Sequence, residues 1–223
     1  MTPEEVLKKL EEMGTEQNRK IYSRHGISDN MYGVSFTNYK KLAKEIKVNT
    51  VLALKLWATG NHDARVLATM IADPNEFGDG VLEKWVEELD NYIITDSFSS
   101  MMKKSHSAKE KLEKWVLSNK EWIGTAGHNM LSHIAMAEND FSDECFETHL
   151  KRIEGKIHTS KNRTRYAMNN AVIAIGTRNS ILKQKAIEVA ERIGKVEVDH
   201  GHTSCKTPEA ITYIEKTWER KRS

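Results

Sequence analysis

The chain has 223 residues, 39% of them hydrophobic and 30% charged, with a formal net charge of +2 at neutral pH. That length allows a sizeable core, and three prolines and twelve glycines are too few for a turn-rich all-β protein. No apolar run reaches bilayer length, the acidic amphipathic start is unlike a signal peptide, and two cysteines exclude a disulfide scaffold, so a monomeric cytoplasmic protein with no membrane partner is expected.

The predicted elements are helices from the first residues onward. Thr2-Pro3-Glu4-Glu5 reads as a capping box with proline in the first turn, followed by an apolar stripe of Val6, Leu7, Leu10 and Met13. A second helix over "EQNRKIYSRHG" ends at Gly26, where a left-handed glycine suits a helix terminus. Thr37 is expected to cap "NYKKLAKEI", with Tyr39, Leu42, Ala43 and Ile46 on one side. Gly60 stops "TVLALKLWATG", Asn61 caps "HDARVLATMIAD", and Pro74 ends that helix.

Helix pairs then follow one another. "DGVLEKWVEEL" precedes "ITDSFSSMMKK", and "SAKEKLEKWVLSN" precedes "EWIGTAGHNMLSHIAM". "SDECFETHLKRIEG" precedes "HTSKNRTRYAMNNAVIAIG", and "SILKQKAIEVAERIG" precedes "TPEAITYIEKTWERK". A Trp recurs near the end of the first helix of a pair, at 57, 85 and 115. Steps of about thirty residues are typical of stacked helical repeats. The expected fold is all-α: a HEAT/armadillo-like solenoid of antiparallel helix pairs with a concave groove, forming a single domain over 1–223.

In such an array the second helices line the groove, so their polar residues are the candidate site. These are His62, Asp63 and Arg65; Tyr92 and Asp96; Thr125, His128 and Asn129; and Arg165, Asn169 and Asn170. Arg165 and Asn169 are one turn apart, as are Tyr166 and Asn170. Each has a plainer reading. Asp63 and Arg65 suit an inter-repeat ion-pair ladder, Asp96 suits a helix cap, and the two asparagines suit buried amides bonded to backbone. The acidic segment 81–90 contrasts with 151–165, where Lys151, Arg152, Lys156, Lys161, Arg163 and Arg165 outnumber Glu154. Such a run is commonly solvated surface, but here it opens a helix N-terminus, where phosphate is well placed.

Residues 198–208, "VDHGHTSCKTP", bring four metal-ligand types close in sequence: Asp199, His200, His202 and Cys205. Their spacing matches no standard zinc motif, and a nucleophilic Cys205 with a histidine partner is the other chemistry open to them. Neither a Walker loop, a dinucleotide fingerprint nor a Gly-x-Ser-x-Gly elbow occurs, and no cofactor is expected.

"YGVSFTNYKKLAKEIK", a helix ending in Trp, and then "HDARVLATMIAD" resemble the opening of the bacterial DNA alkylation repair family, the AlkD-like glycosylases. "EKWVLSNKEWIGTAG" and "NRTRYAMNNAVIAIG" follow in the family's order, so that the likeness spans roughly residues 5–195. The resemblance implies a HEAT-like solenoid that holds double-stranded DNA in a basic groove and excises cationic bases such as N3-methyladenine and N7-methylguanine. A single carboxylate suffices there, because the charged base leaves readily and the acid needs only to stabilise an oxocarbenium-like sugar and place a water. By the resemblance that carboxylate is Asp96, and a cleft Trp falls on Tyr92. A backbone-gripping Arg falls near Gly124 or Thr125, and a second Trp falls on Asn170. The acid is kept while much of the aromatic and cationic equipment is not. Lys103, Lys104, Lys161 and Arg163 are then candidate phosphate contacts. Three functions remain open: a glycosylase with altered preference, a non-catalytic reader of branched or distorted DNA, and a helical-repeat scaffold for another protein or ligand.

Overall fold

The computed structural model describes residues 1–138, 140–201 and 203–222. Among them there is no named strand, only an isolated antiparallel bridge between Gly14 and Val34. No helix is long and apolar enough to cross a membrane. The chain divides into two compact units, Met1–His106 with Gly201–Ser204 and Ser107–His200 with Cys205–Ser223.

The first unit contains α1 (Pro3–Met13), α2 (Glu16–Arg24), α3 (Phe36–Ile46), α4 (Thr50–Ala58), α5 (His62–Ile71), α6 (Asp79–Glu87) and α7 (Tyr92–Met102). Thr2 forms both halves of its capping box, and Asn61 accepts from the backbone of Ala64 at the start of α5. Gly26 adopts a φ of 79°, as its position just past α2 requires. Two caps differ from expectation. Ser35, not Thr37, caps α3, because its hydroxyl reaches the Asn38 amide and the helix begins at Phe36. Asn91 caps α7 through the amides of Ile93 and Ile94, which leaves Asp96 mid-helix with no capping role.

Helices α3, α5 and α7 pack as neighbours, and α4 lies on α5. Trp57 and Trp85 stack face to face, 4.0 Å apart and 5° from parallel. Arg65 joins this contact. Its guanidinium lies over the Trp57 ring, donates to the Trp57 carbonyl and pairs with Glu88 at 3.2 Å. Trp57 Nε1 donates to the same Glu88 carboxylate at 2.6 Å. The ladder reading is therefore the right one for Arg65, but its acid is Glu88 and not Asp63.

Asp63 is fully buried and serves a different purpose. Its carboxylate accepts from the backbone amides of Tyr32, Gly33 and Val34 and from the Tyr39 hydroxyl, at 2.5, 3.3, 2.7 and 2.7 Å. The loop before α3 is thus held to the first turn of α5. Gly33 (φ 79°) supplies the left-handed turn that points successive amides at one acid. Burial beside Asp63 pushes the Tyr39 phenol far above its ordinary range, so it stays a donor.

The second unit contains α8 (Ala108–Trp115), α9 (Glu121–Ala135), α10 (Asp143–Lys156), α11 (Asn162–Gly176), α12 (Ser180–Ile193) and α13 (Ala210–Arg222). Helices α9, α11 and α13 are neighbours, α8 lies on α9, and α12 lies on α10 and α11. The contact between α9 and α11 is the most extensive in the molecule. Glycines set how closely α9 packs on α11, at Gly124, and on the end of α8, at Gly127. A Cβ at Gly124 would lie 2.9 Å from the Ser118 carbonyl and 3.1 Å from Thr164 Cγ2; one at Gly127 would meet the Val116 amide at 2.6 Å. At the other end of α11, Trp218 Nε1 of α13 donates to the Gly176 carbonyl at 2.8 Å.

Asp63→Ala should lower unfolding free energy by about 3–5 kcal/mol, because buried amides and a buried phenol lose their acceptor together. Urea denaturation should show the lower midpoint with an unchanged slope. A loss below about 1 kcal/mol would mean that the loop carries its own structure.

Candidate functional site

In the first unit, Asp96 stands exposed on α7 and lines a cleft of about 280 Å³. The cleft also takes Phe36 and Lys40 from α3, Thr69 and Met70 from α5, and Lys104 beyond α7. Phe36 is 45% exposed, and the Lys40 ammonium lies 5.9 Å from its ring centroid. The sequence reading missed this pair. Its signal was available: an aromatic and a lysine one turn apart on the polar side of an amphipathic helix. The cleft therefore has an acid, two lysines and one aromatic face. Its apolar lining comes from Phe36 of α3, Met70 of α5 and Met101 of α7.

The other first-unit candidates lie elsewhere. Tyr92 is half-buried at the start of α7 and packs edge-on against His25, ring centroids 5.4 Å apart. Lys103 is half-buried at the C-cap of α7, while Lys104 is exposed. Asp63 has no open surface and is committed to the loop before α3; its placement in a groove is corrected by that burial. His62 is likewise buried, and burial pushes its pKa down.

In the second unit, His128 is a core residue. Its Nδ1 meets the Gly124 carbonyl at 2.8 Å; a carbonyl only accepts, so Nδ1 carries the proton. Burial is the main cause that lowers its pKa to about 4, so it offers no cation to a phosphate at neutral pH. Asn129 is half-buried beside it. Thr125 is buried, with its hydroxyl donating to the Glu121 carbonyl at 2.7 Å.

The polar side of α11 holds the chain's own C-terminal segment. Asn162 makes paired bonds with Asp199, accepting from its amide and donating to its carbonyl, both at 2.8 Å. Arg165 donates to the carbonyls of Glu197 (2.8 Å) and Ser160 (3.1 Å). Tyr166 stacks edge-on with His200, and buried Asn169 donates to the Pro208 carbonyl at 2.9 Å. Arg165 and Asn169 thus tie α11 to Glu197 and Pro208. Asn170 is half-buried. At the start of α11, Glu121 accepts from the Arg163 amide at 2.7 Å. An internal carboxylate stabilises that N-terminus in the way a bound anion would. Lys161, at the N-cap, remains exposed, and the Arg163 side chain is half-buried.

Among the described residues, Asp199, His200 and Cys205 form no ligand set; His202 lies outside them. His200 Nε2 is 3.0 Å from the Thr207 hydroxyl, and Cys205 is exposed and outside any disulfide. A cavity of about 840 Å³ is lined by Asn169, Ile193, Val196, His200, Cys205 and Ile211.

Comparison with known proteins is consistent across methods. A family model described as DNA alkylation repair enzyme matches residues 6–214. An uncharacterized protein of Listeria monocytogenes is 33% identical over 208 residues, 90% of each chain. One from Listeria innocua is 34% identical over 208 residues, again 90% of each. A solved structure described as "a new family of proteins related to the HEAT-like repeat DNA glycosylases with affinity for branched DNA structures" is similar at TM-score 0.92 and 31% identity. That likeness covers 100% of this chain and 96% of that one. The all-α HEAT-like repeat fold expected from the helix pairs is the fold observed.

Two tests separate structural from ligand-facing roles. Arg165→Ala and Asn169→Ala should each cost about 1–2 kcal/mol and speed amide exchange in residues 195–201. Unchanged exchange with weakened ligand binding would return both to the site. For His128, the folded pKa near 4 lies below the unfolded value of about 6.5, so the unfolded state binds the proton first. Stability from this residue is complete above pH 6.5 and lost as pH falls towards 4, by up to about 3 kcal/mol. His128→Gln should lose correspondingly less over that window, measured by urea denaturation at each pH.

Proposed function

We propose that this chain, which belongs to the DNA alkylation repair enzyme family, binds branched or distorted DNA and does not excise alkylated bases. The observation that carries this reading is the crowding at Gly124. By the family resemblance, a backbone-gripping arginine belongs at Gly124 or Thr125. At the first, even a Cβ would crowd the Ser118 carbonyl and Thr164. At the second, the side chain is buried and bonded to Glu121. A long cation at either position requires α9 and α11 to separate. The second aromatic position is taken by Asn170, which contributes neither a stacking face nor the apolar contact that an aromatic gives a sugar. The affinity of the similar solved structure for branched DNA supports the same reading.

Binding needs only part of that equipment. Phosphate contacts supply most of the non-specific affinity for DNA, and exposed Lys40, Lys104 and Lys161 are free of the constraints that hold Arg165 and His128. Phe36 adds an exposed aromatic face of the kind that meets an unstacked base at a branch point.

The second reading, base excision, is favoured by one feature: Asp96 is exposed beside an aromatic in a cleft. The decisive measurement compares a four-way junction with a linear duplex of equal length, across a range of salt. The junction should bind at least about tenfold tighter, a difference of about 1.4 kcal/mol. Both affinities should fall with salt. Lys40→Ala and Lys104→Ala should each reduce the magnitude of the salt slope by about one phosphate contact. N7-methylguanine release from a duplex should match the protein-free rate, in wild type and in Asp96→Asn alike. Release that depends on Asp96 would establish the glycosylase. Absence of salt-sensitive binding to either DNA would overturn both in favour of a scaffold.

A further inference from the structure

A cluster in the second unit is built from three residues that no reading above has used. Helix α10 carries Cys145 and His149 one turn apart on a shared face, and α8 presents Glu113 beside them. One donor atom from each (thiol sulfur, ring nitrogen, carboxylate oxygen) lies within 4.8 Å of the other two. His149 is only 2% exposed. Its Nε2 sits 3.1 Å from Glu113 Oε1, yet forms no well-directed hydrogen bond and has no other hydrogen-bonding partner. A histidine kept for packing gains by turning a buried nitrogen towards a hydrogen-bonding partner. Here that nitrogen lies bare beside a sulfur and an oxygen.

We propose that Glu113, Cys145 and His149 form a zinc-binding site that ties α8 to α10. The donor set selects the metal. Thiolate and imidazole exclude calcium and magnesium, which take oxygen ligands, and suit zinc, which accepts sulfur, nitrogen and carboxylate together. Three protein donors leave the fourth tetrahedral position to water. Thiolate and carboxylate together neutralise a divalent cation. Zinc bonds of about 2.0–2.3 Å place tetrahedral donors about 3.3–3.8 Å apart; His149 and Glu113, 3.1 Å apart, are already that close, and the Cys145 sulfur needs to draw in by up to about 1 Å.

The surroundings fit as well. Arg152 Nη1 holds Glu113 Oε2 at 2.5 Å, which fixes the carboxylate and leaves Oε1 to the cluster. Outer partners of this kind orient metal-binding carboxylates. On binding, the Sγ–H bond breaks, its proton passes to solvent, and the sulfur lone pair forms the bond to zinc. No change of oxidation state is involved.

Cobalt(II) is the probe, added to chelator-treated full-length protein without a histidine tag. One equivalent should bind with a thiolate-to-cobalt charge-transfer band, and zinc should displace it. Cys145→Ser should abolish the band and weaken zinc binding by about a hundredfold or more. Glu113→Gln should keep the band and weaken zinc by about tenfold. Cys205→Ser should change neither. Zinc should raise the melting temperature of wild type but not of Cys145→Ser, with far-ultraviolet circular dichroism showing that each variant is folded. No band in wild type, a band that survives Cys145→Ser, or a band lost in Cys205→Ser would each overturn the proposal.

Discussion

Helix α9 can lie as closely as it does against α11 and against the end of α8 only because Gly124 and Gly127 carry no side chain. Much of the second unit follows from that approach. It brings the Thr125 and Thr164 hydroxyls to 3.4 Å and lets Glu121 reach the first amides of α11. It also shuts His128 into the core with its proton on the Gly124 carbonyl. An acid that satisfies a helix N-terminus removes that terminus as an anion site. A histidine held neutral by burial is likewise removed as a cation. Close packing has therefore converted positions suited to a ligand into positions that stabilise the fold.

The same conversion is complete along the polar side of α11. Asn162, Arg165, Tyr166 and Asn169 are spaced along one side of the helix, and each meets the segment from Glu197 to Pro208. A connection without regular structure has backbone groups that must find partners if it is to lie against a helix. The polar residues of α11 supply them. Asp63 solves the equivalent problem in the first unit, where one carboxylate satisfies successive amides of the loop before α3. In both units, side chains that look functional in sequence are anchoring irregular backbone.

This is where legibility ended. The helix pairs were readable because caps and apolar periodicity are local: Thr2, Asn61 and Gly26 behave as their types demand. The error at Ser35 and Thr37 was a choice between two competent caps two residues apart. The destination of Arg165 and Asn169 was not readable, since it depends on a loop more than thirty residues away returning to the same helix. An amide bonded to a distant carbonyl and an amide facing a ligand have the same local sequence. Phe36 and Lys40 were missed because a cap at Thr37 leaves Phe36 outside the helix, and the cleft they share with Asp96 requires three helices to be in place. Cys145 and His149 also advertised themselves one turn apart, while Glu113 could join them only through packing of α8 near α10.

What remains open to a ligand in the first unit is a carboxylate in lysine company. A catalytic acid that stabilises an oxocarbenium-like sugar works through uncompensated negative charge. Asp96 shares a small cleft with Lys40 and Lys104, and it is exposed to water. Each ammonium offsets part of the carboxylate's field, and solvent screens the remainder. The same grouping serves a phosphate well, because the lysines attract it while the acid limits how closely it sits. An exposed aromatic beside them favours strands whose bases are already unstacked. Excision would need the lysines drawn away or neutralised by the DNA itself, leaving Asp96 alone against the sugar; binding needs them where they are.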